Sequence, residues 1–373
     1  MASVTGLMRV ALDASALVTP GTGVATFVSH LTRALDDFSD AVTVEPYTIS
    51  ASAGLRRTAV GRWVPIPADL ANRCWGRFGR PAIDRLLGSP DLIHGTNHIV
   101  APSARPRVVT VHDLSFVRFP EETTPAVRRF DAVIRQAAHS GAWLHVPSQF
   151  IADEVGERYR TERVVVIHEG GPSVLSSEEV ARERSRSDPF AGRRVILALG
   201  TTTQRKRIPL LVEAFGFLAS DRSDLQLVIA GPAGPDEDRV AAAIAQLDLG
   251  SAARVKRTGR VDDAERRRLL ATSTVLAYPS VYEGFGLPVL EAMAHHTPVV
   301  ACSAASVPEV AGESAELAEP DSVESLAGKL ANVLDDPKHA GAVSQAGIDR
   351  VADFTWSLTA ERIVDLYRQA LQG

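Results

Sequence analysis

Cysteine is scarce in this sequence. Its 373 residues contain two, Cys74 and Cys302, far apart and without a CxxC pair. That pattern argues against a structural zinc site and fits a reducing compartment. Long apolar runs are lacking as well, since no window approaches the ~18 uninterrupted apolar residues of a spanning helix. The opening stretch MASVTGLMRVALDASALV is broken by Arg9 and Asp13, so it reads as a strand and not as a signal segment. There is no basic excess: 40 Lys and Arg stand against 45 Asp and Glu, a net charge of −5. Nothing at the whole-chain level therefore calls for nucleic acid. Repeats and low-complexity tracts are absent too. What remains is an ordinary globular composition, 45% hydrophobic and 23% charged, in a chain long enough for two domains. The expected location is cytoplasmic.

The apolar patterning is that of an α/β protein. MRVALDASAL reads as a strand, TPGTG as a turn, and Val24, Phe27, Val28, Leu31 and Leu35 follow helical spacing. Short runs at 91–94, 108–112 and 143–146 look like parallel strands that end in polar residues, at the sheet edge where open α/β folds bind ligands. From Ser176 to Arg194 the chain is charged and Ser-rich, with Asp188-Pro189, and reads as a linker. A second α/β pattern then starts: strands at 195–200, 225–230, 275–278 and 298–302, with helices at 208–219, 241–247 and 288–294. The tail, 359–371, reads as one more helix. The expected architecture is two Rossmann-like domains, 1–175 and 195–356, facing each other across a cleft. Residues 357–373 are expected to pack back on the first.

Chemistry concentrates in VYEGFGLPVLEAMAHHTPVV, residues 281–300. Glycines just before a helix start let the backbone approach a ligand, and the exposed N–H groups favour an anion. Glu283 and Glu291 flank that loop, so each can accept hydrogen bonds from hydroxyls on either side of a bound phosphate. A nucleotide sugar has that arrangement. The basic turn QRKR, after a strand that ends at Gly200 and before a helix, can hold a phosphate. The alternative for each motif is a capped helix or a solvated basic turn.

VYEGFGLPVLEAMA with VPEVAG, DLIHGTNHIVAP, VVTVHDLSFVRFPE, VPSQF, GTTTQRKRIPLLVEAF and LVIAGP resembles the retaining glycosyltransferases of family 4, of GT-B fold. VTVHDLSFVRFPE leans to the mannosyltransferase-like branch. The resemblance covers nearly the whole chain. It implies that Glu283 holds donor-sugar hydroxyls, that Glu291 holds the ribose, and that Arg205 and Lys206 neutralise the departing diphosphate. His112 would lie against the donor sugar near the reacting centre, with Asp113 orienting the imidazole or the acceptor hydroxyl. Gly21, Gly23, Gly200, Thr201, Gly284, Phe285, Gly286 and Leu287 would line the donor site. His94, His98 and Ser148 are acceptor-side candidates, each balanced by a structural reading. The implied activity is hexosyl transfer with retention, without metal or cofactor. GDP-mannose is the favoured donor, a UDP-sugar the alternative, and the acceptor a glycan, a lipid-linked sugar or a small molecule. The leaving phosphate would take the acceptor proton on the front face.

Competing readings stay open at this point. They are a phosphorylase or disaccharide synthase of the same fold, and a sugar-nucleotide-binding subunit without turnover. A nicotinamide enzyme is more distant, because Thr26 replaces the last glycine of GxGxxG. Asp236-Glu237-Asp238 has the DxD form of a metal site, yet acidic residues leading into a helix suit its positive N-terminus. Residues 55–87 are rich in Arg, with Trp75, Phe78, Ala82 and Leu86 at helical spacing. They read as a packed helix or as a surface for peripheral contact with anionic membrane. His295 and His296 read as a helix end, with His296 in place of the family's usual glycine.

Overall fold

The computed structural model describes residues 6–19, 21–185, 190 and 192–373. It divides into two units, Met1–Gly170 with Trp356–Gly373, and Gly171–Thr355. In the first unit the strands are β1 (Met8–Asp13), β2 (Val42–Ile49), β3 (Arg62–Val64), β4 (Leu92–Gly95), β5 (Arg107–Thr110), β6 (Trp143–Val146) and β7 (Val164–Val166). They form one parallel sheet in the order β3-β2-β1-β4-β5-β6-β7. The second unit holds β8 (Arg194–Leu199), β9 (Leu225–Ala230), β10 (Val255–Gly259), β11 (Val275–Tyr278), β12 (Val299–Cys302) and β13 (Glu316–Ala318). Its sheet is parallel as well, in the order β10-β9-β8-β11-β12-β13.

Both orders step outward from the first strand and then restart on its other side. In such doubly wound sheets the helices leave the carboxyl edge in opposite directions at the reversal, and a crevice opens there. The reversals lie between β1 and β4 and between β8 and β11.

Strands buried on both faces explain the near-continuous apolar runs. Val195, Leu197 and Leu199 of β8 join one core layer, while Ile196 and Ala198 join the layer on the opposite face. In the first unit, Phe27, Val28 and Leu31 of the helix Gly23–Leu35 meet Val10 and Leu12 of β1. Ile363, Leu366 and Tyr367 of the C-terminal helix Trp356–Gln372 belong to the same core.

Two segments differ from their sequence reading. Within the stretch read as a linker, Ser177–Ser185 is a helix that buries Val180, and Arg184 Nε donates to the Ala271 carbonyl at 2.8 Å. Its charged composition reflects one exposed face. Residues 186–189 and 191, with Asp188-Pro189, lie outside the described residues, as does Pro20. In the basic stretch, the helix Ala68–Phe78 stops at Gly79, ahead of Pro81. Trp75 is 2% exposed and Phe78 65% exposed, so the four apolar residues share no face. No helix among the described residues is long and apolar enough to cross a membrane.

Candidate active site

The second unit places its charged residues at the β8/β11 reversal. After β8 the chain turns at Gly200, runs through a short 3-10 turn Gln204–Lys206, and enters the helix Ile208–Ala219. Gly200 has φ 129°, and a Cβ there would stand 3.4 Å from Lys206 Cε. Glycine thus allows both the turn and the overlying lysine. After β11 the loop carrying Glu283 leads to the helix Leu287–Ala294, with Pro288 in its first turn and Gly286 at φ 118° before it. That φ is one only glycine adopts without strain.

Glu283, 7% exposed, is the centre of the cluster. Its Oε1 meets Lys206 Nζ at 2.5 Å, and its Oε2 meets an Arg205 guanidinium nitrogen at 2.6 Å. Ser280 Oγ donates to Oε1 at 2.5 Å, and Lys206 Nζ donates to Tyr278 Oη at 2.8 Å. Burial opposes the Glu283 charge, but the Arg205 and Lys206 cations and these hydrogen bonds outweigh it and lower its pKa to about 2. Burial lowers the Lys206 pKa to about 8; Glu283 pulls it up, and Arg205 pushes it further down. Two cations and one anion leave a net positive charge in a poorly hydrated recess. Such a recess can hold an anion.

The loop itself is pinned from behind. Ser306 Oγ lies 2.9 Å from the Glu283 carbonyl oxygen and 2.8 Å from that of Phe285. Phe285 is buried against Phe354, ring centroids 5.6 Å apart, and half-buried Leu287 packs on the same core. Their side chains anchor the loop, so a ligand can use only the backbone here. Glu291 is held by Arg266, whose Nε donates to Oε2 at 3.0 Å. Half-buried Thr201 follows Gly200, while its neighbour Thr202 donates to Glu237 Oε2 at 2.9 Å. Glu237 also pairs with Arg257, and Asp236 with Arg239. Two of the three acidic residues of that motif, Asp236 and Glu237, are thus engaged with protein cations.

In the first unit, Gly21 (φ 84°) and Thr22 lead into the helix that begins at Gly23, and Thr22 Oγ1 caps it by accepting from Ala25 N–H at 3.1 Å. His112 follows β5. Its Nδ1 lies 3.1 Å from Glu169 Oε1 and its Nε2 2.9 Å from the Thr96 carbonyl. Both neighbours only accept, so the ring donates from both nitrogens. Burial disfavours that charge, yet Glu169 and the Thr96 carbonyl outweigh it and raise the His112 pKa. His112 is therefore held at both ring nitrogens.

The other first-unit candidates sit differently from their sequence reading. His94 is fully buried between Tyr367 Oη at 2.7 Å and Thr110 Oγ1 at 2.8 Å. With both nitrogens engaged, it cannot serve an acceptor. Ser148 is also fully buried and caps the helix Gln149–Tyr159, accepting from Ile151 N–H at 3.3 Å. Asp113 accepts from the Ser115 N–H at 2.9 Å; the group that orients the imidazole is Glu169. His98 packs behind His112 and stacks on Phe130, centroids 5.3 Å apart.

Two family models match the chain. One described as "Glycosyltransferase Family 4" matches residues 21–170, and one described as "Glycosyl transferases group 1" matches residues 180–350. An MMP alpha-(1->4)-mannosyltransferase of Mycolicibacterium hassiacum is 30% identical over 338 residues, 88% of this chain and 76% of that protein. The chain belongs to glycosyltransferase family 4. The O-antigen chain mannosyltransferase B of Escherichia coli is 27% identical over 289 residues, 74% of each chain. In fold, this family 4 glycosyltransferase resembles the sucrose-phosphate synthase of Thermosynechococcus elongatus. That match has a TM-score of 0.75 at 20% identity and covers 97% and 98% of the two chains. The two-unit architecture is thus the GT-B fold.

Sequence reasoning missed several residues that shape the site. Glu169, Arg266, Ser280, Tyr278 and Ser306 each fix a candidate through space. Glu169 and Arg266 stand 57 and 25 positions from their partners. Only Ser280 carried a local signal, since it is three residues before Glu283.

Proposed function

We propose that this glycosyltransferase moves a hexose from a nucleotide sugar to an acceptor hydroxyl with retention, mannose from GDP-mannose being the preferred case. The observation that carries the reading is the Arg205–Glu283–Lys206 cluster at the β8/β11 reversal, ahead of a helix N-terminus. When the donor enters, its sugar hydroxyls take over the Glu283 oxygens, and the diphosphate takes over the two released cations. In the transition state the C1–phosphate bond breaks as the acceptor oxygen bonds C1 from the same face. The acceptor proton passes to the leaving phosphate oxygen, whose growing charge Arg205 and Lys206 stabilise. The reading assigns that stabilisation to these side chains and not to a metal. Glu291, oriented by Arg266, holds the ribose. The mannosyl donor is supported by the two mannosyltransferases among the relatives.

Product analysis with GDP-mannose and UDP-sugars, with and without EDTA, tests the proposal. Expected are α-linked product from GDP-mannose, turnover insensitive to EDTA, and a loss of at least about a hundredfold in Lys206→Met. Turnover with orthophosphate and a glycoside instead, or a trapped covalent sugar on the protein, would refute it.

A further inference from the structure

Arg107 is a buried cation that sugar transfer leaves unused. It opens β5 at the amino edge of the first sheet, while His112 lies beyond the carboxyl end of that strand. Five residues of near-extended chain put the two roughly 16 Å apart. Arg107 is 8% exposed. Its Nη2 donates to the Ser140 carbonyl at 2.6 Å and to Ser140 Oγ at 3.1 Å, at the end of the helix Phe130–His139. Those contacts occupy one nitrogen and supply no negative charge. Nε and Nη1 make no hydrogen bond, and Arg107 forms no ion pair, among the described residues. Burial lowers its pKa against the pull of Asp84, whose carboxylate instead accepts from Ser103 Oγ. A buried charge in this state is costly unless an anion joins it.

Two cavities meet at this arginine. One, of about 480 Å³, runs past Arg80, Pro81, Ala82 and Pro102; the other, of about 290 Å³, runs past Arg105, Trp143 and Arg163. Arg107 and Ser140 line both, and every lining residue belongs to the first unit. No Asp or Glu lines either cavity among the described residues. Arg163 is engaged, with Nη1 on the Gly141 carbonyl at 3.0 Å and Nη2 on a Gly373 oxygen at 2.8 Å. The exposed guanidiniums of Arg80 and Arg105 have no partner among the described residues. In a chain of net charge −5, this is a local concentration of unmatched positive charge.

We propose that the two cavities form a second ligand site, which takes a small soluble phosphate monoester. The phosphoryl oxygens take the open donors of Arg107, and Arg80 and Arg105 add attraction from either side. The uncharged body of the ester lies along Pro81, Ala82 and Pro102. A phosphate monoester carries close to two negative charges at neutral pH, which suits three cations better than a single carboxylate does. The site lies at the sheet edge opposite His112, so its occupant is not a group undergoing transfer. The assignment is independent of which sugar is moved.

Phosphorus NMR of n-butyl phosphate, titrated against the full chain, tests it. The Arg205–Lys206 cluster of the second unit also attracts phosphate, so every comparison is made on a Lys206→Met background. On that background the ester signal should broaden and saturate. Arg107→Met should weaken binding at least about tenfold, and Arg105→Glu about tenfold. Arg105 is exposed, so its variant keeps the fold and carries the test even where Arg107→Met does not. Flotation with phosphatidylcholine vesicles containing phosphatidic acid separates a soluble ester from a lipid headgroup. The proposal is overturned if n-butyl phosphate fails to bind, if Arg105→Glu binds it as its parent does, or if the vesicles alone bind.

Discussion

Glu283→Gln separates what the charged cluster does for stability from what it does for chemistry. Relative to the same groups uncharged, moving the Glu283 pKa from 4.5 to about 2 stabilises the fold at pH 7 by about 3 kcal/mol. Lys206, moved from 10.5 to about 8, costs about the same at that pH. Buried ion pairs commonly gain about as much from their mutual attraction as they lose by leaving water. Breaking this one is another matter. Glutamine leaves Lys206, 8% exposed, without its counterion, and the expected loss is about 3 kcal/mol. In a unit of this size that is a fall in Tm of roughly 6–12 °C. The double variant Glu283→Gln/Lys206→Met should return to within about 1 kcal/mol of wild type while transferring no sugar. Calorimetry is the suitable assay, because all four tryptophans, at 63, 75, 143 and 356, lie in the first unit. Glu283 has a depressed pKa, so its contribution is full above pH 4.5 and is lost as pH falls toward about 2. The wild type should lose stability over that window and Glu283→Gln should not. A single variant as stable as wild type at pH 7, or a double variant that loses the sum of both singles, would refute the reasoning.

Three further outcomes are expected. Asp13→Asn should raise the Tm of the first unit at pH 7.5, by up to about 3 kcal/mol of stability, and leave it unchanged near pH 4, since the raised pKa makes ionisation costly as pH climbs from 3.8 past 6; tryptophan fluorescence reads this unit alone, and a lower Tm at pH 7.5 would count against it. Glu169→Gln should lower the pKa of His112, seen by NMR, and cut turnover about tenfold, with the pH profile shifting alongside; the stabilisation from the raised His112 pKa is full below 6.5 and is lost as pH rises through the folded value, so the variant should lose stability only on the acid side. His296→Gly should keep turnover and stability within about 1 kcal/mol: glycine relieves the left-handed backbone at φ 60°, and the change deletes the bond from Nε2 to the Leu175 carbonyl at 2.7 Å. A hundredfold loss of turnover would refute that last reading.

The elements were legible because their signals are local. Ile208–Ala219, Leu225–Ala230 and Val275–Tyr278 coincide with the apolar runs that suggested them, and the helix after GFGLP starts within a residue of Pro288. The glycines at 200 and 286 mark backbone conformations that any chain must solve in place. Where patterning misled, a face had been assigned without knowledge of its neighbour. Ser177–Ser185 has too few apolar residues to reveal a helix, yet one buried valine and one arginine hold it. His94, at the end of a strand, has the same sequence context as a site residue, but Tyr367, 273 positions away, makes it part of the core.

The sequence by itself determined two parallel α/β units, the glycine loop before a helix, and the acid and base residues on either side of it. All of these follow from periodicity and from residues whose backbone preferences act within a few positions. The tertiary structure decided the partners and the pKa shifts: Glu283 bridging two cations, His112 fixed between Glu169 and Thr96, Glu291 held by Arg266, and Asp13 buried beside Ser15. A pKa and an unsatisfied hydrogen bond depend on which groups meet in space and how much water remains between them. The spacing of residues along the chain does not record that.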